Sequence, residues 1–72
     1  MTPEQIISAL SRDGWNFHRE TPEGANHVVM FMHGGKAIPV EGKGVSKETA
    51  YIDAYNRARD LAREKALPWT DP

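Results

Sequence analysis

The sequence predicts an α+β domain of order α-β-β-β-α, in which a three-stranded antiparallel sheet carries two helices on one face. Apolar residues recur at helical spacing near both ends of the chain. The middle of the chain has strand-like patterns that are interrupted by glycine- and proline-containing turns. We therefore expect one domain over residues 1–72, in which residues 68–72 form a short tail.

The first helix is predicted over residues 3–12. Thr2 is a suitable N-cap, Pro3 suits the first helical position because its missing N–H needs no partner there, and Gln5 completes a capping box. Gly14 supplies the left-handed residue with which many helices close. The apolar stripe that would face the sheet comprises Ile6, Ile7, Ala9 and Leu10.

Two strands should follow the first helix. Residues 15–19 alternate large apolar with polar side chains, which is typical of a half-buried strand. Residues 21–24 (Thr-Pro-Glu-Gly) are turn residues. Residues 27–33 should form a strand in which positions 28–32 are all apolar, whether odd or even. This pattern favours a central strand that is covered on at least part of both faces.

A glycine pair and a proline delimit the third strand. Gly34 and Gly35 predict a hairpin, since both positions tolerate positive φ, and the strand is expected over residues 36–41. Pro39 cannot donate to a ladder, so this strand should lie at an edge or have Pro39 facing outward. The sequence from Gly42 to Gly44 then predicts a glycine turn that leads into a helix.

The second helix is expected from residue 46 to about residue 65, with Ser46 as its N-cap. Small side chains at spacings of three and four would let the helix axis lie close to the sheet. Those positions are Ala50, Ala54 and Ala58, followed by Leu61. Pro68 prevents the helix from continuing, and Trp69 either folds back on the core or is exposed.

Composition narrows the function classes. The 72 residues carry a net charge of −1, which disfavours strong phosphate binding. There is no cysteine, which fits a reducing cytoplasm, where we expect the protein to reside. No apolar run reaches the roughly 20 residues that a membrane helix needs, so no membrane partner is expected.

Neither metal binding nor catalysis is predicted. His27 and His33 would project from the same face of one strand but would be about 20 Å apart along that strand, which is too far to bind one ion. Together with His18 they are expected on a solvated polar face. No nucleophile lies in a recognisable setting, and a domain this small has little room for a deep pocket. We therefore expect no enzyme, no cofactor and no small-molecule substrate.

The element order and two loops resemble the double-stranded RNA-binding domain family over nearly the whole chain. In the first loop, Gly24 and His27 match the family's G-P-x-H motif, with Ala25 in place of the proline. In the second, the family's G-x-G-x-S-K-K-x-A-K-x-x-A-A motif is matched without a gap at Gly42, Gly44, Ser46, Lys47, Ala50 and Ala54. Glu48 and Tyr51 replace two lysines of that motif.

The resemblance implies three contacts to duplex RNA. By position, Gln5 (or Glu4) would contact a 2′-hydroxyl, His27 a second minor groove, and Lys43 and Lys47 the phosphates between them. We therefore expect a small, non-enzymatic binding module that contacts structured or double-stranded RNA weakly. The alternative is a protein-interaction module, including a homodimer, that has lost RNA binding; Met, Trp and Tyr are abundant for so few core positions.

Overall fold

A computed structural model describes residues 1–70. Its order is α1 (Pro3–Arg12), β1 (Trp15–Glu23), β2 (Asn26–His33), β3 (Ile38–Gly44) and α2 (Lys47–Glu64). The three strands form one antiparallel sheet of order β1-β2-β3. Both helices pack on one face of that sheet, which we call the helix face, and the predicted fold class is confirmed.

The first helix begins and ends where the sequence predicts. The Thr2 hydroxyl accepts the Gln5 N–H at 3.2 Å, and the Gln5 side-chain oxygen accepts the Thr2 N–H at 2.8 Å. This reciprocal pair satisfies backbone donors that the first helical turn leaves free. Gly14 follows with a φ of 93°, so the chain turns sharply into β1.

The first strand is longer than the sequence predicted. It runs to Glu23, so the predicted turn over residues 21–24 is wrong, and the chain reverses at Gly24 and Ala25 instead. Pro22 is tolerated because β1 is an edge strand, where a missing N–H can face solvent, and Thr21 is of a residue type that is common in strands. A bulge at His18 shifts the register, since Phe17 pairs with Phe31 and Arg19 pairs with Met30.

The second hairpin also differs from the prediction. Residues 34–37 form the turn and β3 begins at Ile38, two residues later than expected. Positive φ falls on Ala37, at 53°, and not on either glycine. Ala37 donates its N–H to the His33 carbonyl at 2.8 Å, which closes the loop. The expected edge position of Pro39 is confirmed, because β3 borders the sheet.

Gly42 and Gly44 do not form a turn; both lie within β3, and that prediction is wrong. A Cβ at Gly42 would overlap the Ala50 carbonyl oxygen and stand 2.6 Å from the Ala54 Cβ. A Cβ at Gly44 would stand 2.6 Å from the Ala50 nitrogen. Strand and helix approach backbone to backbone here, so the glycines are required for packing.

The second helix lies close to the sheet, as its alanine spacing predicts, and it packs over β3 and β2. The Ser46 hydroxyl accepts the Thr49 N–H at 3.2 Å, which confirms Ser46 as the N-cap. The core that the two helices and the sheet enclose comprises Ile6, Leu10, Trp15, Val29, Phe31, Val40, Ala50, Tyr51, Ala54 and Ala58.

The segment after α2 folds back on the domain. Trp69 packs on Tyr55 with 5.2 Å between ring centroids, which decides between the two positions considered for it. Thr70 donates its N–H at 2.9 Å and its hydroxyl at 2.8 Å to the buried carboxylate of Asp13. This contact fastens the segment to the end of α1. The rest of the predicted tail, residues 71–72, lies outside the described residues.

Candidate binding surfaces

Three side chains from three elements meet on the helix face, at the end of the sheet where α2 begins; we call them the Glu20 cluster. The Tyr51 hydroxyl donates to one oxygen of Glu20 at 2.5 Å, and the second oxygen lies 2.6 Å from Nε2 of His27. Glu20 comes from β1, His27 from β2 and Tyr51 from α2. The cluster therefore joins both strands of the first hairpin to the start of the second helix.

The Glu20 carboxylate is ionised at neutral pH. The hydrogen bond from Tyr51 is the largest influence and lowers the pKa of Glu20, and His27 and the Lys47 ammonium act in the same direction. Burial opposes them but does not prevail. In turn, burial followed by the bond to Glu20 raises the pKa of Tyr51. A fixed negative charge thus stands among His27, Tyr51 and Lys47.

Two of the predicted contact residues come together at this cluster. His27 pairs with Gly44 across the sheet, two residues before Ser46 caps α2, and Lys47 is the first helical residue. Lys47 is exposed, whereas the side chain of His27 is only 27% exposed and is engaged by Glu20. At the position of the third lysine in the family's motif this chain has Tyr51, which is buried and turned toward the sheet.

Lys43 lies apart from that pair. Lys43 pairs with Val28 and lies between Gly42 and Gly44, which face the helices. Because side chains alternate along a strand, the Lys43 side chain projects from the face of the sheet opposite the helices. We call this the outer face. The Lys43 ammonium lies 3.7 Å from Glu23 and 4.0 Å from Glu41. Its backbone N–H donates to Asp53 at 2.9 Å, so that amide is occupied as well.

Gln5 is also engaged, since its side-chain oxygen completes the N-terminal cap of α1. Its amide group remains available as a donor on an exposed residue. Of the four predicted contact residues, the structure brings His27 and Lys47 together, directs Lys43 to the other face and uses Gln5 partly as a cap. Whether any of them contacts RNA stays a prediction.

The expected solvated face for the three histidines is wrong for two of them. His27 and His33 lie on the helix face, and His33 is only 8% exposed. The Trp15 ring packs against the His33 ring at 5.0 Å between centroids, and the Lys36 N–H donates to His33 Nδ1 at 3.3 Å. His18, at the bulge, is exposed as expected.

The outer face has an apolar centre. Val28, Met30 and Met32 project from β2, because they alternate with the helix-face residues Val29 and Phe31. The two methionines are half-buried and Val28 is only 4% exposed, although the face carries no helix among the described residues. The residues that flank this centre are Asn16, Arg19, Thr21 and Glu23 on β1 and Pro39, Glu41 and Lys43 on β3.

Two of the grooves within residues 1–70 are large and open to solvent. One, of about 610 Å³, separates β3 from α2 and is lined by both acidic and basic side chains, among them Glu41 and Arg57. The other, of about 480 Å³, lies between α1 and Tyr55. Within residues 1–70, no three side chains are grouped as a metal site would require. Neither helix of that part is long and apolar enough to cross a membrane.

No family model, curated protein or solved structure matches this chain. The similarity to the double-stranded RNA-binding domain family therefore rests on the motif residues and the element order alone.

Sequence reasoning missed Glu20 as a site residue. It lies three residues beyond Phe17, and the bulge at His18 reverses the face on which the following residues project. Simple alternation from Trp15 would have placed Glu20 with the outward-facing residues. The replacement of a motif lysine by Tyr51 was the available signal, since a buried hydroxyl requires a hydrogen-bond partner.

Proposed function

We propose that this chain is a non-enzymatic binding module that docks onto protein through the outer face of its sheet. The observation that carries the proposal is the pair of half-buried methionines, Met30 and Met32, beside the buried Val28 on a face without a helix in residues 1–70. Methionine is enriched at protein interfaces, and its flexible thioether adapts to a partner surface.

Charge disfavours duplex RNA as the principal ligand. Close to Lys47 lie the ionised Glu20 and the neighbouring Glu48. Phosphate binding depends on the number of cations that can be brought to the backbone, and the affinity falls steeply as that number falls. A single lysine beside two carboxylates offers too little attraction for a stable RNA complex at physiological salt.

Weak duplex RNA binding is the second candidate. The specific observation in its favour is the pairing of His27 with Gly44, which places His27 at the end of the sheet where Lys47 begins an 18-residue helix. Helix N-termini attract phosphate through their free N–H groups. In this candidate, the contact would use the same end of the sheet that the family resemblance implies.

Position-specific photo-crosslinking tests the principal proposal. A photoreactive amino acid replaces Met32 on the outer face or, as the matched apolar control, Ile52 on α2, which is 43% exposed. After irradiation in the host cell, protein adducts should form at position 32 and be absent at position 52. The proposal is contradicted if position 32 yields no protein adduct or if both positions yield the same adducts.

A gel shift with a duplex RNA of about 20 base pairs at low salt tests the second candidate, since a domain of this kind spans about 16 base pairs. We expect no retardation at tens of micromolar protein. Retardation that Lys47→Glu weakens would establish RNA binding in place of the principal proposal. The matched control is Lys65→Glu, the same charge change at an exposed residue beyond the far end of α2.

A further inference from the structure

We propose that the partner of the outer face is a second copy of this chain, in a weak dimer with a two-fold axis along β2. This inference rests on the proposed protein-docking function and names its partner. It is carried by the order of charged and apolar side chains across the sheet.

The strand register arranges the outer face in rows. In one row, Arg19 pairs with Met30 and Met30 pairs with Glu41, so a cation, an apolar side chain and an anion cross the sheet in that order. The neighbouring row on one side is Asn16, Met32 and Pro39, and the row on the other side is Thr21, Val28 and Lys43. The charged ends of the central row therefore have opposite signs on opposite strands.

A two-fold axis that runs along β2 exchanges β1 and β3 between two facing copies. Arg19 of each copy then lies opposite Glu41 of the other, and the Met30 side chains meet on the axis. Lys43 lies opposite Thr21, so no like charges face each other in these rows. The usual rotation of about 30° between packed sheets displaces Arg19 and Glu41 by only about 2 Å, which a long arginine side chain can span.

The alternative axis, running across the strands through Met30, is disfavoured by the same charges. It would place Arg19 opposite Arg19 and Glu41 opposite Glu41. Like charges opposed in an interface are repulsive, so the charge pattern selects one orientation as well as one partner. An isologous contact of this kind closes on itself and forms a dimer, not a fibre.

The size of the face limits the strength of the dimer. At strand spacings of about 4.8 Å and a rise of about 3.3 Å per residue, three strands present a surface of roughly 300 Å² per copy. A stable interface buries about 800 Å² per partner. We therefore expect a transient dimer, with a dissociation constant between about 10 and 500 micromolar.

Arg19 and Glu41 are both available for the contact. Arg19 is exposed, and the Glu41 side chain is 38% exposed. The 4.0 Å pair that Glu41 makes with Lys43 within the chain is solvent-exposed and contributes little. It therefore competes only weakly with a pair across the axis.

A charge-exchange experiment tests the inference. Sedimentation of the wild type between about 10 micromolar and 1 millimolar at low salt should show a reversible monomer–dimer equilibrium. Arg19→Glu and Glu41→Arg should each weaken association at least tenfold, whereas an equimolar mixture of the two variants should recover it. Circular dichroism confirms that each variant is folded, and Arg63→Glu, an exposed charge reversal on α2, should leave association unchanged.

The inference is overturned if the wild type stays monomeric at 1 millimolar or if the mixture associates no better than its components. The mass of the adduct at position 32 distinguishes this failure from failure of the proposed function. An adduct of twice the chain's 8.1 kDa supports self-association. An adduct of any other mass leaves the docking function standing and removes the second copy as its partner. If position 32 forms no protein adduct at all, both the docking function and the dimer are contradicted.

Discussion

The two faces of the sheet satisfy their side chains in different ways. On the helix face, Gly42 and Ala54 bring two backbones together, and the Glu20 carboxylate is held by Tyr51 and His27. On the outer face, Met30 and Met32 stay half-buried beside charged neighbours that have only distant, exposed partners within the chain. The helix face pairs its half-buried carboxylate within the chain, although the buried Trp15 Nε1 has no hydrogen-bond partner there. The outer face retains exposed charged groups that a partner can pair.

This difference changes how the family resemblance is interpreted. Gly42, Gly44 and Ala50 match the motif because strand and helix approach closely, and Ser46 matches because it caps α2. These matches are therefore explained by packing and helix capping, without RNA binding. Of the positions that would contact phosphate, Lys47 matches the motif, whereas Glu48 and Tyr51 depart from it and Lys43 is directed to the outer face.

The largest expected effect is on the helix face, at the contact of β3 with α2. Gly42→Ala should destabilise the domain by about 3 kcal/mol or more, because the added methyl group meets backbone atoms of α2 that cannot move independently. Gly35→Ala is the matched control, since its Cβ meets only the His33 ring at 3.4 Å, and it should cost less than about 1 kcal/mol. Urea unfolding measures both, and equal losses would contradict the packing role.

The next effect concerns the Glu20 cluster and its dependence on pH. Replacing Glu20 by Gln, Tyr51 by Phe, and both together should give a coupling energy of about 1–2 kcal/mol near pH 7. Because the folded-state pKa of Glu20 is lowered, its stabilising contribution is present above the unfolded-state pKa and is lost as the pH falls through the folded-state pKa.

Unfolding curves between pH 7 and about pH 3 test this sign. The stability difference between wild type and Glu20→Gln should shrink as the pH falls. A difference that is constant over this range, or that grows toward acid, would show that the ionised carboxylate does not stabilise the fold.

A third prediction converts the helix-face cluster into a phosphate surface. Glu48→Lys combined with Glu20→Gln removes two negative charges beside Lys47 and adds one positive charge, so duplex RNA affinity at low salt should rise about tenfold, or about 1.4 kcal/mol. Binding should weaken again with added salt. Fluorescence anisotropy measures it, with Glu64→Lys at the opposite end of α2 as the control, and a response equal to that control would be evidence against this surface.

The smallest effect on folding is expected on the outer face. Met32→Gln removes apolar surface from a half-buried position, so it should cost the monomer less than about 1 kcal/mol. The same change should still weaken self-association severalfold, because the thioether meets the partner. Sedimentation and urea unfolding of one sample separate the two effects. A loss of stability as large as that of Gly42→Ala would mean that Met32 belongs to the core of the monomer.

The fold could be predicted because its signals are local. The capping box at Thr2 and Gln5 and the alanine spacing from Ala50 gave the helices. Strand ends were less predictable, because Pro22 is a turn-type residue that an edge strand tolerates. The candidate site was only partly predictable, since the bulge at His18 decides on which face Glu20 projects, and a bulge depends on pairing with a distant strand.

One measurement tests most directly the claim that the outer face, and not the end of the sheet where α2 begins, is the binding surface. Amide chemical shifts are recorded while the protein is diluted from about 1 millimolar to about 50 micromolar, a range chosen to span the expected dissociation constant, and again with duplex RNA added. We predict that dilution moves the amides of Arg19, Met30 and Glu41, and that RNA moves none. Shifts of His27 and Lys47 on addition of RNA, with no change on dilution, would contradict the account.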